Sequence, residues 1–249
     1  MAVGSSRNYL PLVLTIAGIG AATGCAIPQQ HAERAGEASY LVAVMRERQE
    51  AARRIVPYTS LAEVLPNTAF KAPGSPQQSY SETLVRGRIV DVEPGVGFTI
   101  SDADDPSGSL ADFDAPTVAW RTIHLKLHVD SVIVGEPVDS SLQVGYSVDP
   151  NDDFKQLRRD FLALPDVILP LDRSPVYAYQ PNVWGVAGNG ALLATVQNGN
   201  LSLPFLSSDE ESQMLVGVKS LAELEKAAKA PARTLPAVSH GEGLAPATS

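Results

Sequence analysis

The sequence predicts a mainly β protein of the α+β class, and three observations favour this fold. Apolar and polar residues alternate with a period of two in several segments between residues 83 and 205, as they do in strands with one buried face. Helical periodicity is confined to short stretches that do not alternate regularly with strands, which argues against a doubly wound parallel sheet. Hydrophobic residues make up 44% of the 249 residues and charged residues 19%, which is typical of a globular chain.

The amino terminus has the features of an export signal. Residues 1–8 are polar and carry one basic side chain, Arg7, and residues 9–24 (YLPLVLTIAGIGAATG) carry no charge. This apolar stretch is shorter than the ~20 residues that a membrane-spanning helix needs. A basic start, an apolar middle and small residues at the end predict a signal peptide over residues 1–24.

Cys25 is the only cysteine and directly follows Ala22-Thr23-Gly24. This placement resembles the lipobox of bacterial lipoproteins, in which a small residue precedes a cysteine that is lipidated and becomes the first residue. The resemblance implies that Cys25 carries a lipid, that this lipid anchors the chain to the cell membrane, and that the chain lies outside the cytoplasm. Ala22 stands where the lipobox usually has a large aliphatic residue, so ordinary signal-peptidase cleavage and a retained membrane helix are the alternatives.

Charge and cysteine content exclude several classes of protein. The chain has 19 basic and 28 acidic residues, a formal net charge of −9, so no nucleic acid partner is expected. A single cysteine excludes an intramolecular disulfide framework and an all-cysteine zinc site. The stability of an exported chain must then come from its core.

Two segments are predicted to precede the β domain. Residues 25–37 are small and polar and are expected to form a tether. Residues 38–80 are expected to form a helical stem and linker, with a helix over 38–56 and a Pro/Gly/Ser-rich linker over 71–80. The sequence Ser-Leu-Ala-Glu at 60–63 matches a capping box, which predicts a second, short helix.

Residues 81–230 are predicted to form a barrel-like β domain with a closing helix. The predicted strands cover residues 83–93, 96–100, 120–134, 142–148, 167–171 and 176–179, with a turn at Pro94-Gly95 between the first two. Asp149-Pro150 predicts the start of a helix that ends before Pro165. Asn198-Gly199 predicts a hairpin, and a capping box at 220–223 opens the closing helix. Residues 231–249 lack large apolar clusters and are expected to be a disordered tail.

This order of elements resembles an OB-like barrel, small and closed or partly open, in which a helix plugs one end of five strands. The phrase Gly87-Arg88-Ile89-Val90-Asp91-Val92-Glu93-Pro94-Gly95-Val96-Gly97 and the turn Val132-Ile133-Val134-Gly135 resemble those of uncharacterised secreted and lipoprotein barrels of actinobacteria. The resemblance covers about residues 81–206, and it implies a fold but no activity.

The candidate ligand-binding residues form a basic strip on the predicted sheet. They are Arg86 and Arg88 on one face of the first strand and His124, Lys126 and His128 on the polar face of the third. Ligands of OB-like barrels bind over strands in this region, so the strip is a candidate site for an anionic glycan or phosphate-bearing ligand. The alternative is that these residues are ordinary outward-facing charges.

No metal, cofactor or catalytic residue is predicted. On a strand, His124 and His128 lie ~13 Å apart, too far to share one zinc ion. The acidic loop with Asp102, Asp104, Asp105, Asp112 and Asp114 departs from the calcium-binding EF-hand pattern, although a weak calcium site is the alternative. The strained Gly-x-Ser-x-Gly elbow of many serine hydrolases is absent from the sequence.

We therefore expect an exported, lipid-anchored envelope protein that acts as a non-catalytic binding or scaffolding module. Its partner would be an envelope protein or an anionic cell-surface polymer. One alternative is a secreted hydrolase with an unrecognised active site. Another is a structural role in a surface complex, played by the helix at 38–56.

Overall fold

The computed structural model describes residues 39–52, 60–71, 79–99, 109–173, 180 and 182–236. Within these residues, the helices are α1 (Ser39–Ala52), α2 (Phe154–Ala163), α3 (Ser208–Met214) and α4 (Leu221–Ala228), with short 3-10 turns at Leu61–Glu63 and Ala187–Gly190. The strands are β1 (Thr68–Lys71), β2 (Thr83–Thr99), β3 (Ser109–Ala111), β4 (Trp120–Gly135), β5 (Ser141–Val148), β6 (Val167–Asp172), β7 (Val183–Val186), β8 (Ala194–Gln197), β9 (Asn200–Ser202) and β10 (Arg233–Pro236).

Eight of these strands form one sheet in the order β3-β2-β4-β5-β7-β6-β8-β9, and β2 also pairs with β6. Neighbouring strands of this sheet are antiparallel except β5 and β7, which run parallel. A separate parallel pair joins β1 to β10. The prediction of a mainly β chain with a few helices is confirmed.

The predicted turn at Pro94-Gly95 is wrong, because β2 runs without interruption from Thr83 to Thr99. Its pairing with β4 slips at four places, one of them between Pro94 and Gly97. Such bulges let a strand accommodate a proline, which cannot donate to the ladder, and bend without ending. Gly87 lies beside another slip, where a Cβ would overlap the carbonyl oxygen of His128.

One predicted helix start is wrong, and a second predicted helix is a short 3-10 turn without its predicted capping bond. Asp149 and Pro150 lie in a turn, and α2 begins instead after Asp153, whose carboxylate accepts the backbone N–H of Lys155 (2.9 Å) and Gln156 (3.2 Å). The buried guanidinium of Arg121 donates to the Pro150 carbonyl and holds that turn in place. At the other site, Leu61–Glu63 is a single 3-10 turn, and Ser60 makes no side-chain capping bond.

Other predictions agree with the structure more closely. Strands β4 and β5 match the predicted segments to within one residue at each end. The turn at Asn198-Gly199 joins β8 to β9 with positive φ angles of 52° and 80°, and the capping box at Ser220 opens α4. Arg233–Pro236 forms β10, within the segment expected to be a disordered tail. The predicted strand at 176–179 lies outside the described residues.

Two hydrophobic cores lie on opposite sides of β2 and β6. Val85 of β2 and Leu169 of β6 point into the first core, together with Leu125 and Phe161. Their chain neighbours Leu84 and Ile168 point into the second core. Since successive side chains of a strand point to opposite faces, β6 and the start of β2 at Thr83–Val85 are buried on both sides.

The segment predicted as a stem packs into both cores. Leu41 and Met45 of α1 are fully buried in the first core, and Leu61, Val64 and Leu65 are buried in the second. Residues 39–46 and 60–71 therefore pack directly on the β region. Among the described residues, no helix combines the length and the apolar character needed to cross a membrane.

A buried carboxylate holds α1 against α2. Asp160 is 0% exposed, and its Oδ2 accepts the backbone N–H of Leu41 at 3.1 Å, in the first turn of α1. A negative charge at this end of a helix also interacts favourably with the helix dipole. Nearby, the Tyr40 hydroxyl accepts the backbone N–H of Asp153 at 2.8 Å. The two bonds fix the register of α1 on the domain.

We expect Asp160→Ala to lower the free energy of unfolding by about 1–3 kcal/mol, because a buried N–H loses its acceptor. Asp160→Asn keeps an oxygen at this position and should lose less. Urea unfolding followed by circular dichroism measures both, with Asp112→Ala as an exposed control. A loss for Asp160→Ala no larger than that of the control would contradict the role assigned to this carboxylate.

Candidate functional site

All five predicted ligand-binding residues lie on the β2–β4 pair. His124, Lys126 and His128 alternate along β4 with Ile123, Leu125 and Leu127, which are fully buried. Across the pair, Arg88 lies opposite His128. Arg86 projects from β2 two residues before Arg88 and is half-buried. The five side chains therefore share the outer face of the sheet.

A bulge in β2 brings acidic residues onto this same face. The register slips between Ile89 and Asp91, leaving Val90 56% exposed within the slip. Beyond it, Asp91 lies opposite Lys126, and Glu93 lies opposite His124. Strict alternation from Arg86 and Arg88 would have placed both acids on the inner face, so the sequence pattern alone did not reveal them.

The basic strip is consequently a network of ion pairs. Lys126 donates to Glu93 and lies 3.8 Å from Asp91. Arg158 of α2 lies 2.9 Å from the other oxygen of Asp91. The remaining members of the strip lie near carboxylates, Arg86 beside Asp166 (2.6 Å), Arg88 beside Asp130 (3.5 Å) and His128 beside Asp130 (3.7 Å). An anionic ligand would have to compete with carboxylates for these groups.

His124 occupies a different environment from the other members of the strip. Its Nε2 lies 3.2 Å from the Gln180 Oε1, in the connection between β6 and β7. Burial lowers the pKa of His124, while the Gln180 bond and the charge of Glu93 act in the opposite direction. The hydrogen bond to Glu93 raises the pKa of Lys126. At neutral pH, His124 is therefore neutral and Lys126 is charged.

Lys126 also lines a groove on this side of the sheet, with a volume of about 680 Å³. Its walls come from β4, the β4–β5 turn, β5, the end of β6 and the start of β7. The lining residues are Lys126, Pro137, Val138, Asp139, Ser141, Leu142, Gln143, Arg173, Asn182 and Trp184. The groove lies beside the parallel β5–β7 pairing, which joins Gln143 to Val183 and Val144 to Trp184.

Arg173 is the groove residue that the sequence pattern missed. Its guanidinium carbon lies 4.7 Å from the centre of the Trp184 ring, a cation–π contact. The Nε of Arg173 lies 3.3 Å from the Glu82 carboxylate, and its Nη2 lies 3.8 Å from the Glu136 carboxylate. Arg173 follows β6 at a point where no periodicity marks it, and only the tertiary fold brings it close to β5.

The acidic loop considered as a calcium site lies only partly within the described residues. Within the described part of the chain, no group of three acidic, histidine or cysteine side chains is arranged to hold a metal ion. Asp112 is exposed, and Asp114 pairs with Arg121 at 3.3 Å. Trp120 stacks on Phe98 with the ring centres 3.7 Å apart. Cys25 and the rest of the acidic loop, with Asp102, Asp104 and Asp105, lie outside the described residues.

Comparison of the chain with protein-family models, with curated proteins and with solved structures finds no match.

We expect Glu93→Gln to lower the pKa of His124, because it removes the carboxylate charge that favours the protonated ring. Proton NMR titration of the His124 ring measures the shift. Asp130→Asn, which removes the carboxylate beside His128, is the matched control and should leave the titration of His124 in place. An unchanged or higher pKa in Glu93→Gln would show that Glu93 does not act on His124.

Proposed function

We propose that this protein is a non-catalytic binding module that holds an anionic polysaccharide in the groove between β5 and β7. The observation that carries the proposal is the presence of two cationic side chains, Lys126 and Arg173, together with the indole of Trp184, in one open groove. Ligand sites commonly combine apolar or aromatic surface with a few well-placed polar groups. This groove offers an aromatic ring and polar groups along a length of several residues.

The other lining groups suit a sugar polymer. Gln143 and Asn182 each carry an amide that both donates and accepts, as vicinal hydroxyl groups require. Ser141 adds a hydroxyl, and Asp139 adds a carboxylate that accepts from sugar hydroxyls. Lys126 and Arg173 would contact the acidic substituents. An open groove also lets a long polymer enter along its length, which an enclosed cavity would not.

We further propose that the five strands β2, β4, β5, β6 and β7 form an OB-like barrel. The pairings that support it run β2–β4, β4–β5, β5–β7, β7–β6 and β6–β2, so each strand has two partners within the set. The helix α2 lies between the third and fourth of these strands in the chain. OB folds bind oligosaccharides and oligonucleotides over their second and third strands, here β4 and β5, which contribute Lys126 and Gln143 to the groove.

We propose that the chain is exported and held at the membrane by lipid on Cys25. The support is the apolar stretch at residues 9–24 followed by Ala22-Thr23-Gly24-Cys25. Two or more acyl chains hold a protein at a membrane stably, since each buried CH₂ contributes about 0.8 kcal/mol. A module anchored there would meet the anionic polymers of the cell envelope.

We expect Lys126→Gln combined with Arg173→Gln to weaken binding of low-molecular-weight heparin, an anionic polysaccharide probe, by at least about tenfold, the loss of one to two charge-assisted contacts. Isothermal titration calorimetry measures the affinity. Lys155→Gln with Lys229→Gln makes the same change of net charge at exposed positions of α2 and the end of α4. Equal weakening in both pairs would indicate attraction to overall charge and would contradict binding in the groove.

Mass spectrometry of the protein purified from membranes of a bacterial host tests the anchor. We expect a chain that begins at Cys25 and carries acyl groups on this residue. Cys25→Ser should remove the acyl mass and release the protein from the membrane fraction. An unacylated chain that begins at Met1 would overturn both the export and the anchor.

A further inference from the structure

We propose that His124 makes anion binding in the groove pH-dependent, by sharing Glu93 when it is protonated and so releasing Lys126 toward the ligand. The inference rests on the proposed function, because it concerns the regulation of the same groove. It rests on geometry: Glu93 lies between one permanent cation and one titratable ring, and only the permanent cation lines the groove.

The strand register sets this arrangement. Glu93 lies directly opposite His124 in the antiparallel pair, where facing Cβ atoms are about 4.5–5.5 Å apart. Lys126 is the next outward-facing residue of β4 and donates its ammonium to Glu93. The Glu93 carboxylate therefore bonds with Lys126 and lies opposite His124, whose ring contacts Gln180.

Among the described residues, few titratable groups lie near His124. From β2 they are Glu93 and Asp91, and from β4 they are Lys126 and His128. On the β5 side, His124 lies opposite Gly145, flanked by the uncharged Gln143 and Ser147. From the β6–β7 connection, Gln180 contacts the ring. Glu93 is the acidic residue opposite the ring, and it is the residue whose charge raises the pKa of His124.

At neutral pH the ring is uncharged, and Glu93 is neutralised by Lys126. Burial holds the pKa of His124 below the usual histidine value of about 6.5, so the ring gains a proton only as pH falls beneath that value, and it then becomes a second cation opposite the same carboxylate. Lys126 then shares Glu93 with the protonated His124, and its ammonium group can turn toward an anion in the groove. Binding should strengthen as pH falls, and by linkage the bound anion should raise the pKa of His124.

The test is calorimetric titration of the full chain with low-molecular-weight heparin at pH 7.5 and at pH 5.5, where the probe keeps its sulfate charges. We expect the wild-type affinity to rise about threefold to fivefold at the lower pH, the effect of about one more exposed charge contact. His124→Gln keeps a side chain that bonds with Gln180 and should lose this rise. His128→Gln, which changes the neighbouring histidine, should retain it.

Glu93→Gln supplies a second, independent readout. With the Glu93 carboxylate gone, Lys126 keeps Asp91 at 3.8 Å as its acidic neighbour at both pH values, so binding at pH 7.5 should be tighter than in the wild type and change little at pH 5.5. Circular dichroism melting confirms that each variant is folded at both pH values. A His124→Gln variant that keeps the full wild-type rise overturns the inference, as does a wild type that binds equally at both pH values. A wild type that binds the probe at neither pH overturns the proposed function itself.

Discussion

The arrangement depends on the start of β2, Thr83–Val85, being buried on both faces. A slip of one residue would exchange the side chains that enter the two cores, and beyond Val85 it would move the apolar side chains of β2 from the core to solvent. Leu84 and Val85, adjacent in the chain, lie in different cores, and β2 pairs with three other strands of the sheet. Every outward side chain of β2 past this point is thereby placed relative to β4 and β6.

One extra residue in this strand determines the electrostatics of the candidate site. Before the slip at Val90 the outward side chains are arginines, and after it they are Asp91 and Glu93. Lys126 and His124 of β4 therefore face carboxylates rather than further basic residues. In the groove beside them, Arg173 lies over the ring of Trp184.

The sequence predicted the elements whose patterns are local. Strand β4 and the hairpin at Asn198-Gly199 follow directly from alternation and turn chemistry. The continuity of β2 could not be predicted, because Pro94-Gly95 looks like a turn and becomes a bulge only through pairing with β4.

The same limit applies to the candidate site. The outward positions of His124, Lys126 and His128 follow from the period of two along β4. Their partners come from elsewhere in the chain. Glu93 is shifted onto this face by the bulge, and Arg173 and Gln180 arrive from the connection between β6 and β7. No window of sequence contains these contacts.

Residues near the amino end of the described chain bond with residues more than 100 positions later in the sequence, and this affects the order of folding. The backbone N–H of Leu41 donates to the carboxylate of Asp160. The side-chain amide of Asn67 donates to the carbonyls of Ala227, Ala228 and Ala230 at the end of α4. During synthesis from the amino end, the first bond can form only after residue 160 has been added, and the bonds of Asn67 only after residue 230. The segments around Leu41 and Asn67 therefore complete their packing late, after most of the sheet has been made.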